Sequence, residues 1–235
     1  MLCGLCFASL ASLQQARAEI DWTGSLALTS HYIQQGLSQT RGAPALQGGL
    51  RATLDERWSV GAWASSIDRY RGSGGDMEID LYVGRAWRIA PAWIASLTAT
   101  HYFYPDDPRY DHDEISASLG YRSMLFATVT WAPNYVDFSY RGLAADRSAL
   151  SYELSASQPV LGGWSGNVGV GYRDLGDLFD ERYWYGHAGV MLAARNFTLH
   201  LTYTYVDHAA RRLFGRERAD IAWSGTIIWR FGVGD

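Results

Sequence analysis

Thiols are nearly missing from this 235-residue chain: there are two cysteines, Cys3 and Cys6. Both lie in an apolar opening segment that ends in Ala16-Arg17-Ala18. Residues 1–18 read as a secretory signal peptide, with an A-x-A-like cleavage site before Glu19. The chain from Glu19 onward then carries no thiol, which excludes disulfides and cysteine chemistry, and neither cysteine is placed to take a lipid anchor. Lysine is absent, all 20 basic residues being arginine, a compositional bias rather than a mechanistic signal. No basic surface is concentrated anywhere: the net charge of −4 falls to −5 once Arg17 leaves, so nucleic acid is excluded as a partner. After residue 18 no stretch approaches the roughly 18–20 continuous apolar residues that a membrane helix needs. No Pro/Ser-rich linker or charge block divides the chain, so residues 19–235 read as one domain.

What is present in excess is aromatic: ten Trp and fifteen Tyr, alongside 25 Gly. Their setting is alternation at period two. Met77, Ile79, Leu81, Val83 and Trp87 alternate with Glu78, Asp80, Tyr82, Gly84 and Ala86. The pattern repeats in Phe197–Tyr205 and in Ile115–Tyr121. One face is greasy and the other polar or small. Without a spanning helix, a closed barrel is the remaining way to cross a bilayer, because every backbone N–H and C=O must be satisfied without water.

Twelve such segments are predicted, at 20–32, 45–54, 58–67, 77–88, 93–104, 113–122, 124–132, 149–158, 164–173, 183–193, 197–206 and 220–231. The fold class is therefore all-β: a single antiparallel up-and-down transmembrane β-barrel of about twelve strands, with ten or fourteen as the neighbouring even counts. The connections alternate between long (33–44, 68–76, 105–112, 133–148, 174–182, 207–219) and short, the long-outside, short-periplasmic rule of such barrels. Trp22, Trp58, Trp87, Trp93, Trp131, Trp164, Trp229 and Phe231 are expected near periplasmic strand ends as an aromatic girdle. The last strand, 221–231, ends in Phe231 like the assembly signal of outer-membrane proteins. The competing architecture is a soluble periplasmic sandwich or lipocalin-like barrel, whose apolar faces would point inward.

The run Leu28-Thr29-Ser30-His31-Tyr32-Ile33-Gln34-Gln35-Gly36-Leu37-Ser38-Gln39-Thr40, followed by Pro44–Gly49, resembles the opening of the TorF-type porin family of proteobacteria. The likeness continues through Gly61–Asp68 and Met77–Gly84, about the first third of the mature chain. It implies an outer-membrane barrel with a porin role and supplies no catalytic residues. The signature loop contributes Gly36, Ser38, Gln39 and Thr40, and loop 33–44 is the segment expected to fold into the mouth.

In-facing charges on this register include Arg51, Glu78, Asp80, Arg88, Glu114, Arg122, Glu153, Arg173 and Arg230, with Tyr82, Tyr102 and Tyr104 also inward. Arg51, Glu78, Asp80, Tyr82, Tyr102, Glu114, Arg122, Glu153 and Arg173 are the expected pore-lining set. Opposed charges across a lumen filter solutes by charge and size. They serve equally as mutual partners that let polar groups survive inside a narrow barrel. Glu78 and Asp80, two apart on one strand, project to the same side. A barrel enzyme would need a nucleophile beside a base, and neighbours such as Ser30-His31 point to opposite faces. Asp111-His112-Asp113 reads as an exposed loop without further metal ligands, and Gly72–Gly75 as a flexible loop with no following helix. The expectation is a passive channel for small hydrophilic solutes, not an enzyme, with no cofactor and no metal. Its other expected partners are outer-membrane lipid and lipopolysaccharide and the barrel-assembly machinery. A lipid- or peptide-directed barrel enzyme and a closed structural barrel are the rivals.

Overall fold

The computed structural model describes residues 20–55, 57–68, 76–135, 147–176 and 180–232. The signal segment 1–18 lies outside the described residues, as do parts of loops 68–76, 133–148 and 174–182. The strands are β1 (Ile20–Thr29), β2 (Ile33–Gln34), β3 (Leu37–Ser38), β4 (Ala45–Leu54), β5 (Trp58–Ile67), β6 (Asp76–Ala90) and β7 (Trp93–Phe103). They continue as β8 (His112–Tyr121), β9 (Leu125–Ala132), β10 (Ala149–Leu161), β11 (Trp164–Asp174), β12 (Arg182–Ala194), β13 (Phe197–Val206) and β14 (Ala222–Gly232). One short helix, α1 (His208–Phe214), follows β13. No described helix is long and apolar enough to cross a membrane.

Twelve of these strands form a closed antiparallel barrel in which each pairs with its neighbours in sequence. Closure is made by β1, which pairs β4 on one edge and β14 on the other. Ser25, for example, sits opposite both Gly49 and Arg230. No edge is left, so every ladder group is paired inside the wall. The tight turns between strands need left-handed backbone, found at Asp55, Arg122, Ser123, Gly162, Gly163 and Arg195. Two bulges, at Arg88/Ala90 and Pro159/Leu161, lie beside such turns, where a ladder is most easily broken. Every predicted segment matches a barrel strand to within three residues at either end.

Side-chain parity turns this barrel inside out relative to a soluble one. Leu81, Val83, Leu199 and Leu201 are 53%, 43%, 46% and 48% exposed on the outer wall, whereas Glu78 is 0% exposed inside. A soluble barrel requires the reverse.

Nine of the ten tryptophans lie on that outer wall. Trp22, Trp58, Trp87, Trp93, Trp164 and Trp229 gather at the end carrying the tight turns. Phe231 stays with them, against Trp229 and over Gly24. Trp131 departs from the expected girdle. It lies next to the last residue of β9 and opposite Ile115, at the end carrying the long connections, with Trp184 and Trp223. An ascending strand places its C-terminal residues at that end, so the aromatics form two belts rather than one.

The true core sits inside the long-connection end. Leu37, Tyr183, Tyr185, Val206, Ala210 and Phe214 belong to one cluster. Ile67, Tyr102, Tyr104 and Tyr110 form a second.

Candidate functional site: the lumen and its hairpin

The predicted first strand ends early. Beyond Thr29 the chain turns inward, and the short β2–β3 hairpin enters the lumen instead of extending the wall. Its tip, Gln35-Gly36, has φ of 48° and 81°, the pair of positive values that a two-residue hairpin of the primed type needs. Glycine is required at position 36 on a second ground. A Cβ there would lie 2.6 Å from Tyr185 Cβ and 2.7 Å from Val206 Cγ1.

Polar groups from around the wall hold the hairpin. The Tyr183 hydroxyl donates to the Gln35 carbonyl at 3.0 Å, and the Gln34 amide donates to the Tyr102 oxygen at 3.2 Å. Ser38 N–H donates to the Arg218 carbonyl at 2.7 Å, and Asp68 N–H to that of Gln39 at 2.9 Å. The Thr40 hydroxyl accepts from Tyr32 N–H at 3.2 Å. Leu37 completes the apolar contact, buried with Tyr183, Val206 and Phe214 of α1. Asp207 caps α1 by accepting from Ala210 N–H at 3.0 Å, which sets the helix over this end. The four signature residues Gly36, Ser38, Gln39 and Thr40 are all buried in this plug.

Beneath the hairpin lies an acid-rich layer. Glu78 accepts from Tyr32 at 2.8 Å and from Tyr104 at 2.9 Å. Glu114 accepts from Tyr102 at 3.0 Å and lies 4.0 Å from Arg173, whose guanidinium stands 4.4 Å over the Tyr135 ring. Glu153 accepts from Tyr185 at 2.9 Å. Burial, then the Glu78 carboxylate, hold the Tyr32 phenol well above its ordinary pKa of 10.0, so it remains a donor. We expect Tyr32→Phe, which removes one of the two donors to Glu78, to cost about 1.5–3 kcal/mol, the usual value of a hydrogen bond to a charged group. Urea unfolding in micelles measures it, and an unchanged midpoint would show that Glu78 does not anchor the hairpin.

Asp80 differs from these acids. Its Oδ1 is buried with no hydrogen-bond partner among the described residues. It borders a cavity of about 510 Å³ shared with Arg51, Tyr82, Tyr102, Trp63 and Arg230. A second hollow of about 610 Å³ adjoins it, reaching Glu153, His187 and His200 among many Thr and Ser hydroxyls. Trp63 and Tyr32 border both.

Of the expected lining residues, Arg51, Glu78, Asp80, Tyr82, Tyr102, Glu114, Glu153 and Arg173 stand on inward positions of the wall. Arg122 does not. It occupies the turn after β8 with φ of 52°, its guanidinium 5.2 Å over Tyr121 and away from the lumen, because the turn reverses the alternation. Arg88 likewise binds the Pro91 carbonyl beside its bulge. Asp111-His112-Asp113 is only partly loop, since β8 begins at His112. The three side chains diverge: His112 stacks inward on Tyr102 at 4.5 Å, Asp113 pairs outward with His101 at 2.8 Å, and Asp111 accepts from Tyr104 N–H. Ser30 and His31 also part, Ser30 accepting from Gly225 N–H and His31 Nε2 lying 2.6 Å from Ser38 Oγ. Burial lowers the His31 pKa from 6.5, favouring a neutral ring that ties the hairpin stem.

Trp63, Tyr185, His187 and Phe126 were missed in the lining. For Trp63 the signal was parity alone: it shares the wet face of β5 with Ser59, Gly61 and Ser65.

Residues 13–229 match the profile of a family described as "Bacterial protein of unknown function (Gcw_chp)". No curated protein matches the chain. Among solved structures, the chain resembles the KdgM porin (TM-score 0.56, 5% identity, covering 89% of this chain and 99% of that one). It also resembles the NanC porin (TM-score 0.57, 10% identity, 92% and 100%). At such identities the likeness is one of fold.

Proposed function

The chain belongs to the Gcw_chp family of bacterial proteins of unknown function, and from that premise and the barrel's geometry we propose that it is an outer-membrane porin. In this reading small hydrophilic solutes diffuse passively through its narrow lumen. The observation that carries the proposal is the inverted wall: an apolar exterior around a polar interior with hollows of about 510 and 610 Å³. Whole-length likeness to two porin folds supports it, as does the resemblance of segments in 28–84 to TorF-type porins. Termini and tight turns then face the periplasm, the long connections face outward, and the two aromatic belts sit in lipid and lipopolysaccharide headgroups. Insertion by the barrel-assembly machinery belongs to the same proposal. A closed structural barrel is the competing reading, favoured by the hairpin buried inside the long-connection end of the lumen.

Purified, refolded protein in a planar bilayer separates the two. We expect discrete ohmic conductance steps. Their absence with folded protein present would remove the channel reading and favour a sealed barrel.

A further inference from the structure

The 510 Å³ hollow has an acid at one end of an arc of wall and two arginines toward the other, and none of the three has an oppositely charged partner among the described residues. Pairing places one inward row across five strands: Arg230 opposite Ser25, Ser25 opposite Gly49, Gly49 opposite Trp63, and Trp63 opposite Asp80. The small residues Ser25 and Gly49 leave the space between the row's charged ends empty. The Trp63 ring lies over Gly49 and the Tyr82 ring over Gly61, so two aromatic faces line the wall there. Arg51 stands two residues beyond Gly49 on the same face, two strands across and two residues along from Asp80, about 12 Å in the sheet.

Asp80 Oδ1 is buried without a hydrogen-bond partner among the described residues. Arg230 donates to the neutral Thr198 hydroxyl at 2.6 Å. Among the described residues, no carboxylate lies within ion-pair distance of Arg51 or Arg230. Asp80 Oδ1 is a buried, unmatched acceptor and the two arginines lie open to lumen water, so a solute that presents a cation to the one end and an anion to the other is favoured over one that matches a single end. A simple cation meets Asp80 but faces two arginines, and a simple anion meets the reverse.

We propose that this hollow is a binding site for an amino-acid-like zwitterion, with its ammonium on Asp80, its carboxylate toward Arg51 and Arg230, and its carbon chain on Trp63 and Tyr82. The site rests on the porin reading, since it makes the lumen a selective station for such solutes. Its volume lies within the ordinary range of small-molecule pockets, with room for solute and water.

The test is saturation-transfer NMR on the folded protein in micelles with 4-aminobutyrate, against butylammonium and butyrate as single-charge controls. We expect 4-aminobutyrate to bind and each control to bind about tenfold more weakly. Asp80→Asn, and separately the double variant Arg51→Gln/Arg230→Gln, should each weaken 4-aminobutyrate about tenfold. His101→Gln on the outer wall should leave binding unchanged. If one of the lumen variants fails to fold by circular dichroism, the other carries the test. Equal binding of either control, or full binding by a folded lumen variant, would overturn the site. Conductance without 4-aminobutyrate binding overturns the site alone, whereas binding without conductance overturns the porin reading and keeps the site.

Discussion

Replacing residues 31–40 with a Gly-Gly link should raise single-channel conductance by a factor on the order of two to five, because flux follows the open cross-section of the narrowest layer. The wall does not need the hairpin. β1 is paired to β4 through Thr29–Ala45 and to β14 through Thr29–Thr226, so closure is complete before the chain turns inward. Much of what the excision uncovers is polar, since Glu78, Tyr102 and Tyr183 lose their contacts with Tyr32, Gln34 and Gln35 and meet lumen water instead. The apolar part is the small patch of Val206 and Phe214 that Leu37 covered. The barrel should therefore fold and conduct more. Conductance equal to that of the intact chain, in planar bilayers at the same salt, would show that the constriction lies elsewhere.

Gly36→Val should destabilise the protein by about 2–5 kcal/mol. Part of this is the cost of a β-branched residue in left-handed backbone, about 1–2 kcal/mol. The rest is overpacking, about 1–3 kcal/mol, against Tyr185 and Val206, neither of which has room to retreat inside the buried cluster. The hairpin has a cheaper response than unfolding, which is to leave the lumen. Urea unfolding should then show a lowered midpoint, and bilayer recordings a conductance approaching that of the excision variant. A valine variant with the stability and conductance of the parent would refute the tip geometry.

These two results bear on one element, and that element shows how far the residues could be read unaided. Gly-Leu-Ser-Gln-Thr at 36–40 marked a segment entering the mouth, and it does enter. Its anchors were not legible. Tyr32 meets Glu78 across 46 residues and Gln35 meets Tyr183 across 148, and nothing in local spacing relates such positions until the sheet closes. Arg122 shows the opposite limit. Parity assigned it to the lumen, but parity holds only within a strand, and a left-handed turn residue at φ 52° obeys the turn. Trp131 was misplaced for a similar reason, since the end at which a residue sits depends on strand direction as well as on face.

The amino-acid order by itself determined the all-β class, the twelve wall strands and which side of each faces lipid. These follow from a period of two in the side chains and from the alternation of long and tight connections, both local properties of the chain. What the lumen contains emerged on closing the ring. Closing β1 against β14 brought Arg230 into one row with Asp80, and the inward hairpin set Tyr32 on Glu78. Those relations depend on register and curvature accumulated around a full ring of strands, which no stretch of sequence carries within itself.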